Sequence, residues 1–159
     1  MISFEPIGFI HSPFKKAEGT PIQPKAAGET EGRIEVLPEF TKCLQDLEGF
    51  SHIILLYYFH LSKDYSAKVI PYMDDQERGV FATRAPRRPN PIGLSVVRLE
   101  KIENNILRVS GLDVINGTPL LDIKPYVPEF DREEEFRLGW LEKKVKGLPG
   151  TKDDGRFNH

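Results

Sequence analysis

The sequence predicts a mainly β domain, a small single-sheet β-barrel carrying one or two helices. Three observations lead there. Short β-branched and aromatic runs recur along the chain, punctuated by 13 prolines and 13 glycines, as in many-stranded folds. Turn signals at Glu103-Asn104-Asn105 and Asn116-Gly117 separate consecutive runs. Only two segments have helical character, which is too few to cover an open sheet and favours a barrel over a sandwich.

Residues 3–11 are β-compatible and open the sheet. Residues 12–32 are rich in Pro, Gly, Lys and Glu without periodicity, so they read as a long loop, and loops of that length often carry function. Residues 33–37 alternate as a strand does. Pro38 suits the first turn of a helix, Phe40, Leu44 and Leu47 continue at helical spacing, and Gly49 stops it. Residues 51–61 form an apolar and aromatic run that reads as a strand buried on both faces.

Residues 79–83 give a short strand. Residues 94–102 and 106–115 give two more, joined by the hairpin at Asn104. Pro119 restricts the next segment to an edge strand or a bulge. Residues 131–145 read as a helix capped by Asp131 and Glu134, with Phe136, Leu138, Trp140, Leu141 and Val145 as apolar neighbours. The barrel thus spans residues 1–130. Residues 131–159 add a helix and a flexible tail to the same domain.

Composition sets limits on function. The formal net charge of −2 is not that of a nucleic-acid coat protein. The charge is uneven, however. Residues 78–98 hold five arginines and no acid, whereas residues 129–135 hold five acids against Arg132. A polyanion should therefore meet the first segment. The start of the chain lacks a signal-peptide pattern, and its apolar runs are too short to span a bilayer, which takes roughly 20 residues. Cys43, the only cysteine, reads as a small buried residue. These features lead to the expectation of a cytoplasmic protein without a membrane segment.

No dinucleotide-binding glycine motif, P-loop or nucleophile elbow is present. The histidines, His11, His52, His60 and His159, lack zinc-ligand spacing, so no metal is expected. The distinctive segment is Phe81-Ala-Thr-Arg-Ala-Pro-Arg-Arg-Pro-Asn-Pro-Ile-Gly-Leu94. Three prolines stiffen it, and Arg84, Arg87 and Arg88 project from a backbone that loses little entropy on ordering around a ligand. Guanidinium forks match carboxylates and phosphates.

A second constellation, Asp113, Asp122, Lys124 and Tyr126, places polar groups in an apolar stretch, where they need partners. An Asp122–Lys124 structural pair and a functional site both fit this pattern. Tyr57-Tyr58-Phe59-His60 puts a histidine at a strand end, either as a satisfied core residue or as part of a site.

These segments resemble the TsaA/TrmO family of tRNA methyltransferases. The resemblance runs in order through Ile7-Gly-Phe-Ile-His-Ser-Pro13, Leu47-Glu-Gly-Phe-Ser-His52, Phe81-Ala-Thr-Arg84, Arg88-Pro-Asn-Pro-Ile-Gly-Leu-Ser95, Gly117-Thr-Pro and Asp122-Ile-Lys-Pro-Tyr126. It implies a barrel that binds S-adenosylmethionine and methylates the exocyclic amine of threonylcarbamoyladenosine beside the tRNA anticodon. It also implies a homodimer with the site near the subunit interface.

Carried over by position, the cofactor contacts fall on Pro21, Ile22, Gln23, His60, Leu61, Arg84, Leu94, Leu112, Asp113, Val114 and Ile115. Asp113, Lys124 and Tyr126 are candidates to polarise the acceptor nitrogen. Arg87, Arg88 and Asn90 are candidates for the RNA side. The chain departs from the family in having Ile22 where an arginine is frequent and Asn116 where an aspartate is frequent. It also ends soon after the helix, without the second domain of many bacterial members. A non-enzymatic RNA-binding barrel and a methyltransferase acting on another substrate are the alternative readings. The first lacks a concentration of stacking aromatics near the arginine loop.

Overall fold

Alternating apolar residues along six strands face one interior and close the sheet on itself. The computed structural model describes residues 1–15 and 30–146. Its strands are β1 (Gly8–His11), β2 (Glu31–Val36), β3 (His52–Tyr58), β4 (Lys68–Val69), β5 (Arg78–Gly79), β6 (Ile92–Glu103), β7 (Ile106–Ser110) and β8 (Thr118–Pro125). The barrel runs β1-β2-β7-β6-β3-β8, while β4 and β5 form a separate two-stranded ribbon. All pairings are antiparallel. Ile10, Ile34, Ile53, Leu55, Leu107, Leu112 and Leu120 fill the interior and are fully buried.

The predicted barrel is therefore present, and several details differ from the sequence reading. The run 51–61 becomes β3, buried on one face only: Ile53, Leu55 and Tyr57 point inward, while Ile54 and Leu56 are half-buried. Barrel closure removes the second covering layer that an open sheet would need. The segment after Pro38 winds as 3-10 turns, Pro38–Leu44 and Leu47–Gly49, separated at Asp46, whose φ is 71°. Only Leu44 of the first turn is buried. Cys43, expected inside, is exposed, because it precedes the inward-turned Leu44.

Pro119 meets its constraint by preceding the ladder with β3, so that it is paired on one side only. It pairs with Phe9 of β1, but the β3 ladder begins only at Leu120 and shifts register between Leu56 and Tyr57. The hairpin and turn signals hold: Asn104 has φ 54° and Gly117 φ 86°, the left-handed region that Asn and Gly tolerate.

The helix expected over 131–145 is broken. Helices α1 (Pro128–Asp131) and α2 (Glu142–Lys146) flank an irregular stretch and a 3-10 turn, Gly139–Leu141. Asp131 ends α1 instead of capping a longer helix. Gly139 adopts φ 55°, which no continuous right-handed helix accommodates. Glu142 Oε1 then accepts the Leu138 N–H at 3.1 Å, leading the chain into α2. The Val145 side chain, the loop core 16–29 and the tail lie outside the described residues.

Candidate active site and nucleic-acid interface

At one end of the barrel the inward faces of β3 and β6 become polar. Tyr57 and Gly93 are register partners, as are Leu55 and Ser95. Gly93 is required at this place: a Cβ there would overlap Tyr57 Cε2 and lie 2.8 Å from Phe59 Cζ. The two rings meet edge to face, with centroids 5.5 Å apart. Seated over Gly93, Tyr57 reaches diagonally along β6, and its hydroxyl lies 2.8 Å from Ser95 Oγ. Ser95 Oγ in turn donates to Asp113 Oδ1 at 2.8 Å. Because the single serine proton goes to the carboxylate, Tyr57 must donate to Ser95 when Asp113 is ionised.

Asp113 sits in the segment joining β7 to β8. Ser12 Oγ donates to the Val114 carbonyl, and the Ser12 N–H donates to Asn116 Oδ1 at 3.0 Å. The Asn116 N–H donates to the Phe14 carbonyl at 2.6 Å, and the Gly117 N–H to that of Ile10 at 2.8 Å. The start of the long loop thus staples this segment across the barrel end. Asn116 makes that contact through its side-chain oxygen, which an aspartate also possesses.

Burial pushes the Asp113 carboxyl up to about 6, although the Ser95 hydroxyl and its own backbone N–H oppose the rise. Burial, with the Asp113 charge second, raises the Tyr57 phenol well above its ordinary value. Arg84 is exposed as a residue, yet desolvation among the cleft walls lowers its pKa, with Tyr57 opposing. It remains a cation at neutral pH.

These groups border a cleft of about 970 Å³, near the upper end of the roughly 300–1,000 Å³ usual for small-molecule sites. His60, Leu61, Arg84, Leu94, Asp113, Val114 and Ile115 line it, so the structure brings together seven of the eleven positions to which the resemblance carried cofactor contacts.

Other candidates lie elsewhere. Leu112 is a core residue packed against Gly32, and its side chain is turned from the cleft. Pro21, Ile22 and Gln23 lie outside the described residues. Lys124 and Tyr126 border neither this cleft nor the smaller hollow beside it. Lys124 is exposed and paired with Asp122 at 3.0 Å, the structural alternative of the sequence reading. The Tyr126 N–H donates to the His52 carbonyl, at the end of β3 opposite Tyr57. Five residues of strand, roughly 17 Å, separate those ends.

The arginine loop divides by role. Arg84 and Arg87 line the cleft. Arg88 lines it too, but Arg88 Nη1 donates to the carbonyls of Thr83 at 2.7 Å and Ala85 at 3.1 Å. It braces the loop from within. Asn90 is exposed and lies off the cleft wall.

Sequence reasoning missed Tyr57, Ser95 and Gly93 as one unit, because only strand register makes them neighbours. It also missed aromatics near the loop. Phe81, Tyr72 and Trp140 all border the same cleft, which corrects the expectation that stacking side chains are not concentrated there. Among the described residues no group of three or more His, Cys, Asp or Glu is placed to hold a metal, and no helix is long and apolar enough to cross a membrane.

The family model for the tRNA-methyltransferase O N-terminal domain matches residues 9–132. The chain belongs to that family. A protein of Pyrococcus abyssi named "Probable S-adenosyl-L-methionine-binding protein" is 59% identical over 99% of this chain and 85% of its own length. The human tRNA (adenine(37)-N6)-methyltransferase is 43% identical over 80% of this chain, which spans 30% of that protein. The crystal structure of TrmO from Pseudomonas aeruginosa matches with a TM-score of 0.75 and 45% identity, over 87% of this chain and 62% of that one. The family-model match ends at residue 132, so the cleft wall contributed by Trp140 and Leu141 lies beyond it.

Proposed function

We propose that this chain transfers a methyl group from S-adenosylmethionine to the exocyclic amine of an adenine in tRNA, with threonylcarbamoyladenosine beside the anticodon as acceptor. The observation that carries this reading is the meeting, in one cleft, of Arg84, an apolar wall of Leu94, Val114 and Ile115, and the buried Asp113 carboxyl held by Ser95. A guanidinium suits the carboxylate of the cofactor's methionine end. Apolar side chains suit its flat adenosine, so the residues present fit this group. When bound, it supplies an activated methyl on a sulfonium centre.

The chain's own residues then align the acceptor and manage its proton. Alignment alone can contribute much of the acceleration. The acceptor amine is weakly nucleophilic, because ring and carbonyl draw on its lone pair, so removing its proton during attack helps. With a pKa near 6, Asp113 is ionised at neutral pH and close enough to the working pH to accept that proton. Ser95 and Tyr57 hold the carboxylate in place. Arg87 and Asn90, exposed on the loop, are assigned to the RNA backbone. tRNA as partner implies a cytoplasmic protein. The homodimer expected from the family is part of this reading and is measured by sedimentation.

Calorimetric titration of S-adenosylmethionine tests the reading, with Arg84→Ala as the comparison. Binding that the substitution weakens roughly tenfold or more, together with methyl transfer to tRNA by the wild type, supports it. Absence of wild-type cofactor binding overturns it in favour of the RNA-binding barrel.

A further inference from the structure

Two large aromatic side chains border the cleft without contributing to any core. Tyr72 is 81% exposed and Phe81 78% exposed, yet both line the cavity that holds Arg84, Arg87 and Asp113. Bare aromatics of this size that share a concave site with cations are features of a recognition surface.

The backbone that presents them is braced. Tyr72 occupies a turn closed by the Asp74 N–H donating to the Pro71 carbonyl at 3.1 Å. Arg78 Nε grips Asp74 Oδ2 at 2.6 Å, and Lys144 Nζ lies 3.9 Å from Asp74 Oδ1. The Arg78 guanidinium also stacks 5.5 Å over the Trp140 ring. Trp140 Nε1 donates to the Ala82 carbonyl at 2.8 Å, fixing the 3-10 turn that carries Phe81. The ribbon, the turn and the carboxy-terminal segment are thereby locked together under two exposed rings.

We infer that Tyr72 and Phe81 form a stacking platform for an unstacked nucleobase of an RNA, the acceptor base or its immediate neighbour. Every base has a π-face, so stacking on aromatic side chains beside a cationic groove is the general means of holding single-stranded nucleic acid. Chemistry on a base requires taking it out of its stack, and a platform in the cleft that Asp113 lines receives it. Arg84 and Arg87, on the wall of the same cleft, complement a phosphate chain. The inference rests on the methyltransferase reading for the identity of the base, but not for the stacking itself.

The test uses Tyr72→Ala, Phe81→Ala and Phe81→Leu, the last preserving apolar bulk without a ring. Bulk tRNA and oligoadenylate are titrated against each protein while Trp140, the only tryptophan, is monitored by emission. S-adenosylmethionine affinity and elution volume are measured in parallel. The expected result is a shift of Trp140 emission in the wild type on adding either RNA. RNA affinity should weaken roughly 5- to 100-fold for each alanine variant and nearly as much for Phe81→Leu, with cofactor affinity and elution unchanged.

Unchanged RNA affinity in the alanine variants, or no RNA binding by the wild type, overturns the inference. An equal loss of cofactor affinity assigns the rings to the cofactor's adenine, and a change in elution assigns them to a second copy; either result also overturns it. Ring-dependent RNA binding without any methyl transfer would leave the platform standing and remove the methyltransferase reading.

Discussion

Ser95 Oγ, buried in the barrel wall, donates to Asp113 Oδ1 at 2.8 Å and so joins the barrel interior to the cleft. The bond favours the ionised carboxylate that burial disfavours. Removing the hydroxyl with Ser95→Ala also strips Tyr57 of its partner. The expected cost is about 1–3 kcal/mol of stability, read from urea unfolding. The Asp113 carboxyl should titrate higher as well, so the acid limb of the pH–activity profile moves upward.

Asp113→Asn separates stability from activity. The carboxyl titrates near its ordinary 3.8 in the unfolded chain and near 6 in the folded one. The native state therefore holds the proton more tightly, and its stability falls as pH rises from about 4 to 6, then stays lower. Asparagine has no such charge to bury. The variant should gain up to about 3 kcal/mol over the wild type at pH 8, offset in part by altered hydrogen bonding, and that advantage should shrink by pH 5. Thermal melts across this range measure it. Methyl transfer should drop roughly 10²- to 10⁴-fold.

Gly93→Ala places a Cβ against Tyr57 Cε2, 2.7 Å from Tyr57 Cζ and 2.8 Å from Phe59 Cζ. The rings are packed and can yield only by shifting, at about 1–3 kcal/mol. Displacing Tyr57 breaks its bond to Ser95, so the near-ultraviolet circular dichroism of tyrosine should change along with the melting temperature.

Arg87 and Arg88 are adjacent in sequence but should respond differently. Arg87→Ala should weaken tRNA binding and lower the slope of log affinity against log salt by about one unit. Arg88→Ala removes the internal braces to Thr83 and Ala85. It should lower thermal stability while leaving the salt slope close to that of the wild type.

Asp74→Asn loosens the grip on Arg78 and Lys144. The hydrogen bond from Arg78 is the main cause that holds the Asp74 carboxyl below its ordinary value. Without the charge, Arg78 is less firmly held over Trp140. Faster amide exchange across residues 139–144 and a red-shifted tryptophan emission are the expected readouts.

The barrel class, the arginine loop and the turns at Asn104 and Gly117 were all legible in the order of residues. These are local properties: alternation along strands, positive φ at Asn and Gly, and proline stiffness act within a few residues. The cofactor contacts proposed at the cleft came instead from the family resemblance, position by position. The polar chain at the barrel end is of another kind. Tyr57–Ser95–Asp113 depends on strand register between β3 and β6 and on a loop stapled by Ser12, contacts between residues 18 to 102 positions apart.

The same reason separates Lys124 and Tyr126 from the cleft, because β8 carries them to the far end of the barrel. It also brings Trp140 onto the wall against Ala82, across 58 positions. Helical spacing over 131–145 was legible, but Gly139 and the pull of Ala82 and Asp74 on that segment outweighed it. Short-range pattern sets which elements can form, and long-range packing selects which of their side chains meet.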